Sequence, residues 1–491
     1  MVLTIPARLK RMALNVKQTT LWVAFMLFLC AFYLGSKGDL TQGVPLFQEN
    51  YPFLFKGFFY ALGMDGVSYL LILLTTFLTV LVVLSSWESI KKDIKLYMSA
   101  LLLLEFAMIG VFLARDLLLF FIFFELTLIP MFFIVGIWGG ERRLYAAFKF
   151  FIYTLCGSLF MLLSILYIYQ KIGSFHIEAL THHLFTKTEQ FWLWIGFFVS
   201  FAIKIPMFPL HTWLPDTHVE APTGGSVILA GILLKLGGYG LFRFSLPLFP
   251  DAMTFFAPFV FTLSAIAIVY ASFIAFAQKD IKKLVAYSSI AHMGIVTMGL
   301  FAPNIQSVQG AVFQMLSHGL ISGGLFLLVG MIYERMHTRK ISDFGGIAAQ
   351  MPAYASIFMI FVLGLVGLPG TMGFVGEILV MMGLFSVHPL FAIIASTGVV
   401  WSAMYGLWVY RSVFLGAITH KSISALMDLN RREYIILVPL MLCIIYLGLY
   451  PQSILRITEA SSQHVLSIAD KKRFVQNAQE SQTIPQYTEI S

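Results

Sequence analysis

Long apolar runs separated by short polar turns divide the chain. They lie near residues 20–36, 64–87, 97–114, 116–137, 146–170, 190–210, 226–247, 253–277, 282–302, 309–332, 352–385, 389–416 and 434–452. About 20 apolar residues cross a bilayer as one helix, so the pattern predicts an all-α polytopic membrane protein with about 13 transmembrane helices. Strands of a membrane barrel would alternate apolar and polar positions over about ten residues, and these runs do not. The first run leads into no soluble domain, so it reads as a span and not as a cleaved signal.

Two runs are interrupted. The run at 190–210 carries Lys204, Pro206 and Pro209 and passes into HTWLPDTHVEAPTGGS (211–226), which adds Pro215 and Pro222. The run at 352–385 is too long for one crossing and contains GLPGTMG (367–373) around Pro369. Proline removes a backbone donor and breaks the helical ladder. In lipid, carbonyls freed this way are tolerated only inside protein or beside water. Counted from residue 97, the runs form two sets of five, 97–247 and 253–416, and the fourth member of each is the interrupted one. Five is odd, so the second set is inverted relative to the first. Inverted repeats with paired broken helices mark the ion path of transporters. Around the repeats lie N-terminal membrane helices (1–96), a C-terminal helix (417–456) and a polar tail (457–491) expected to leave the membrane.

Composition agrees: 59% of residues are apolar, 11% are charged and the mean hydropathy is +0.86. A soluble domain carries about 25% charged residues, so a soluble enzyme is excluded, as is a disordered or fibrous chain. Nineteen Lys and Arg fall in loops on the N-terminal side, six on the other side and four from Arg456 onwards. This bias puts the N-terminus in the cytoplasm or mitochondrial matrix and the tail on the opposite side. The net charge of +8 is therefore a topology signal, and no basic-aromatic patch suggests nucleic acid. Cys30, Cys156 and Cys443 are far apart in apolar runs, so neither a disulfide framework, an iron–sulfur centre nor a zinc site is expected. With no Walker A sequence and no glycine fingerprint after a strand, the chain is expected to bind no nucleotide, flavin or metal.

Four ionisable groups lie deep in the runs: Glu125, Lys204, Lys235 and Glu377. Such a charge costs roughly 2.5–3.5 kcal/mol on insertion scales and marks function by default. Glu125 (FFIFFELTLIPM) and Lys204 (FAIKIPMF) have opposite signs in one repeat, which suggests an ion pair that opens and closes, or a static salt bridge. Lys235 (GILLKLGGYG) has no acid within a helical turn, as suits a group that exchanges a proton. Glu377 follows the second break, where it serves as a proton carrier or as a helix-end carboxylate. Glu105 belongs to the path or is a second partner for Lys204. His292 and His318 read equally as relay members and as hydrogen-bonded core histidines. In the first break His211, Asp216, His218 and Glu220 are candidate water-lining groups; the prolines around them argue against a regular metal site. Lys149, near the start of its run, is expected to snorkel to the inner surface.

HTWLPD with the broken helix, together with ELTLIPMFFIVGIWGG, HVEAPTGGSVILAGILLK and SHGLISGGLFLLVGMIYER, resembles the proton-pumping, antiporter-like subunits of respiratory complex I, in the branch of bacterial subunit M and mitochondrial subunit 4. The resemblance covers the chain from about residue 60. It implies that Glu125 pairs with Lys204, that Lys235 is a central lysine, that His318 is a relay member and that Glu377 is the acid on the outlet side. It also implies partners: neighbouring antiporter-like subunits, and peripheral subunits that hold NADH, flavin, iron–sulfur clusters and quinone. The family has fourteen helices with both ends outside. Here MVLTIPARLKR reads like the end of a preceding first helix, in keeping with thirteen runs. The rival is a cation/proton antiporter component of the same superfamily with no electron-transfer partner.

Overall fold

The computed structural model describes residues 7–43, 45–418 and 420–483. Residues 1–6, which open the basic segment, and 484–491, which end the polar tail, lie outside the described residues. The fold is mostly helical, and among the described residues eleven helices are long and apolar enough to cross a membrane. They coincide with eleven of the thirteen apolar runs. The other two runs are the interrupted ones, and they form shorter helices: Lys187–Lys204 in one, Pro352–Val366 and Met372–Val387 in the other.

Many helices begin on a side chain that accepts the first free backbone N–H groups, as a helix start requires. Asp65 caps Gly66–Ser89 by accepting from the Ser68 N–H at 2.9 Å, while the Ser68 hydroxyl oxygen accepts from the Asp65 N–H. Asp116 does the same for the next-but-one helix, accepting from Leu118 and Leu119, and Asp280 for Ile281–Phe301, accepting from Lys282 and Lys283.

Burial sorts the helices. Thr223–Leu248 and Ile305–Met336 are buried throughout their most apolar stretch, and Ile281–Phe301 nearly so. These three carry Lys235, His318 and His292. Small residues let them approach: a Cβ on Gly319 would lie 2.9 Å from the Gly231 carbonyl oxygen of the facing helix. Met12–Lys37, Pro389–Phe414 and Arg431–Leu449 are mostly uncovered and form the periphery. Within Thr223–Leu248 the stretches Leu229–Leu233 and Leu241–Ser245 are π-helical and flank Lys235 on both sides. Single π turns inside α-helices are frequent at functional sites.

Three features depart from the sequence expectation. Leu46–Pro52 and Phe59–Met64 pair as an antiparallel hairpin, with Tyr51 opposite Tyr60. The helix of the Leu117–Trp138 crossing is interrupted at Thr127, between Leu117–Leu126 and Leu128–Trp138. The polar segment after residue 452 is one long helix, Gln452–Thr483, lying against the bundle.

Candidate functional site

Both breaks expose carbonyls, and both are answered by a side chain from elsewhere. At the first, Lys187–Lys204 ends, the indole N–H of Trp213 donates to the Ile203 carbonyl at 2.9 Å, and the chain restarts as Trp213–Glu220. At the second, Gly367 takes a left-handed backbone (φ +75°), which favours glycine. Ahead of it the Leu365 carbonyl, one of the last four of its helix and so without a helical donor, lies 3.0 Å from His292 Nε2.

Lys235 is completely buried. Its Nζ donates to the Ala230 carbonyl and lies 2.7 Å from His318 Nδ1. The His318 and His292 rings are 5.9 Å apart. His292 Nδ1 contacts the Ser288 carbonyl at 2.8 Å, and Nε2 reaches Glu377 Oε1 at 3.4 Å. Gln314 donates to the same carboxylate oxygen at 3.4 Å. A Cβ on Gly367 would lie 2.7 Å from the other one, so the break makes room for Glu377. Lys235, His318, His292 and Glu377 thus form a line of protonatable groups across three helices and the second break. Neighbours in such a line exchange a proton when one donates and the next accepts.

The first half differs from expectation. Lys204 and Glu125 lie close enough to act on one another electrostatically, but the expected ion pair is not closed: no contact of 4 Å or less joins them. The Lys204 ammonium, 1% exposed, has no hydrogen-bond partner and faces the rings of Phe124 and Phe150 at 4.9 and 5.5 Å. Glu105 is fully buried with neither oxygen hydrogen-bonded, so it is no second partner for Lys204.

The groups of the first break go separate ways. Asp216 pairs with Lys149 at 2.7 Å, so Lys149 does not snorkel freely as expected. Glu220 ties down the preceding loop: its carboxylate accepts from the Arg142 N–H at 2.9 Å and its carbonyl from the Gly140 N–H at 2.8 Å. That makes it an anchor for the loop. His211 packs between Phe208 and Tyr270. His218 stacks on Phe326 at 4.4 Å with neither nitrogen hydrogen-bonded. Among the described residues, no three His, Cys, Asp or Glu side chains gather as a metal site would need.

Residues 114–403 match the family described as NADH:quinone oxidoreductase/Mrp antiporter, TM, and residues 2–111 match the amino terminus of NADH-ubiquinone oxidoreductase chain 4. The chain is 49% identical over 465 residues to NADH-quinone oxidoreductase subunit M of Rhodobacter capsulatus, covering 92% of this chain and 90% of that one. The chain belongs to the subunit M/chain 4 family of NADH:quinone oxidoreductase, respiratory complex I. The fold agrees. A chain in the structure of respiratory complex I from Thermus thermophilus with bound NADH superposes with a TM-score of 0.86 at 32% identity, covering 92% of this chain and 95% of that one. A chain of the Mrp complex from Dietzia sp. DQ12-45-1b gives 0.84 at 17% identity, with 94% and 95% covered, a likeness of fold alone.

Two charged positions of this subunit M/chain 4 member were misjudged from sequence. Arg243, counted as an outer-loop charge, is buried and donates to Asp65 at 2.5 Å and to the Tyr239 hydroxyl at 3.1 Å. Lys282, counted as an inner-loop charge, is buried and donates to the Ala221 carbonyl at 2.5 Å, near His218. Both sit at the ends of apolar runs, where hydropathy cannot separate a loop charge from a buried one.

Proposed function

We propose that the chain translocates protons as a membrane subunit of respiratory complex I. NADH oxidation and quinone reduction proceed in partner subunits that carry the flavin, the iron–sulfur clusters and the quinone, and this chain binds no redox cofactor. The observation that carries the reading is the buried line Lys235, His318, His292, Glu377. A charged Lys235 donates to the neutral Nδ1 of His318, and transfer along that contact leaves a neutral lysine and an imidazolium. The wider step between the two histidines is of a size that one water or a ring swing bridges. His292 then passes the proton to Glu377 beside the second break. In the first half, opening and closing of Glu125 against Lys204 changes the field felt by Lys235.

Thirteen crossings, two inverted five-helix repeats over 97–247 and 253–416, and an N-terminus in the cytoplasm or matrix complete the reading. It is supported by the two interrupted runs and the lysine and arginine bias. Neighbouring antiporter-like subunits are the expected membrane partners. The test is Glu125→Gln and Glu125→Ala in the assembled complex. Proton pumping should fall by about tenfold or more, with coupled NADH:quinone activity falling too and assembly largely intact. Lost assembly with normal activity per assembled complex would instead make Glu125 a static structural partner.

A further inference from the structure

Lys204 rests where a charge is expensive. Its ammonium is buried, makes no hydrogen bond and stands more than 4 Å from the Glu125 carboxylate. An uncompensated buried charge costs several kcal/mol, so something must offset it while the pair is open. Two ring faces are in place. Phe124 and Phe150 are both fully buried, and both centroids lie within the roughly 6 Å over which a ring face attracts a cation.

The rings are themselves held. Phe124 packs on Phe120 and Phe201 at 5.6 and 6.1 Å, and Phe150 on Trp213 at 5.4 Å. Trp213 is the indole that satisfies the Ile203 carbonyl, one residue before Lys204. The break that frees this carbonyl and the ring that faces the ammonium are therefore fixed by one side chain. Phe124 precedes Glu125 on the same helix, so carboxylate and ring offer Lys204 two resting places a short side-chain swing apart.

We infer that Phe124 and Phe150 form a second holding site for the Lys204 ammonium, and that the Glu125–Lys204 pair opens by passing the ammonium from the carboxylate to the two ring faces. The inference rests on the proton-translocation reading above. Phe124 and Phe150 are positioning residues: they act through Lys204 and carry no proton.

Fluorination separates this role from packing, because each ring fluorine weakens the negative face with little change of shape. Mono-, di- and trifluorophenylalanine placed at position 150, and separately at 124, in the intact complex should lower NADH-driven proton pumping step by step. The trifluoro forms should lose about threefold or more, within the 2- to 30-fold that about 0.5–2 kcal/mol represents. The same series at Phe301, a buried ring that packs on Trp194 and Phe198, should leave pumping unchanged. A flat series at both 124 and 150, or an equal fall at 301, overturns the holding site. Lys204→Ala and Glu125→Gln are measured in the same membranes. If they pump normally, the proton-translocation reading itself falls. If they stop pumping while the fluorine series is flat, only the holding site falls.

Discussion

Lys235 and His318 meet at 2.7 Å with no carboxylate between them. That contact separates two requirements that are usually confounded, a positive charge at this place and a proton that can leave it. Lys235→Arg keeps the charge, but a guanidinium with a pKa above about 12 does not release its proton. If charge alone matters, the Arg variant pumps. If the proton must leave, Lys235→Arg is as damaging as Lys235→Ala, and both lower the protons moved per electron pair by about tenfold or more. Full pumping by the Arg variant in reconstituted membranes would end the claim that Lys235 carries the proton. The residues of this line could be read from sequence because each polar group stands alone in an apolar run. Their contacts could not: nothing in the spacing of His292, His318 and Glu377 reveals that three helices bring them together. The open Glu125–Lys204 pair was equally hidden, since opposite charges in one repeat read as partners whatever distance the fold sets between them.

Helix Thr223–Leu248 presents Lys235, and its register is held near its C-terminal end. Arg243 reaches back to Asp65, the cap of Gly66–Ser89, and to Tyr239, whose hydroxyl donates to the Phe112 carbonyl at 2.9 Å. Removing one partner of a buried ion pair typically costs about 3–5 kcal/mol, because the other charge is left uncompensated. Asp65→Asn should therefore lower the thermal stability of this subunit in the purified complex and reduce pumping, even though Asp65 is remote from the proton line. Asp65→Asn combined with Arg243→Met should cost less than the sum of the two single changes. Strict additivity in a double-mutant cycle followed by thermal unfolding would mean that the pair does not hold the helix. The crossings and both breaks were legible because a bilayer imposes length and because proline has one effect on a ladder. The hairpin of Leu46–Pro52 and Phe59–Met64 was not, since it is short and lacks a clear alternation. The helix Gln452–Thr483 was missed for another reason. Its buried stripe runs through Ile454, Thr458, Ser461 with Ser462 beside it, Val465, Ala469, Lys472 and Gln476. The spacing of three and four is helical, but small and polar residues fill it, so hydropathy sees only a polar tail.

At the scale of the molecule that last helix acts as a strap. Ser461 accepts from the Gly66 N–H at 3.2 Å, the Leu455 carbonyl accepts from Gln309 at 3.2 Å, Arg473 donates to the Pro250 carbonyl at 3.0 Å, and Gln476 accepts from Gln190 at 3.1 Å. It therefore ties together the starts of helices from both halves of the sequence. Lys472 is the weak point. Its Nζ donates to the Leu180 carbonyl at 3.2 Å, and burial pulls its pKa from 10.5 down to about 8. Below pH 8 the lysine is protonated both docked and undocked, and docking bears the full cost of burying the charge, on the order of 3 kcal/mol. Between about pH 8 and 10.5 the undocked lysine holds more protons than the docked one, so docking strengthens as pH rises. Lys472→Met removes the charge. It should protect the 452–483 segment from proteolysis at pH 7 more than the native residue does, with the advantage shrinking as pH climbs through 8 towards 10. Protease resistance of this segment in the native complex that is unchanged from pH 7 to 9.5, or a Met variant no better protected at pH 7, would show that burial of Lys472 does not limit the strap.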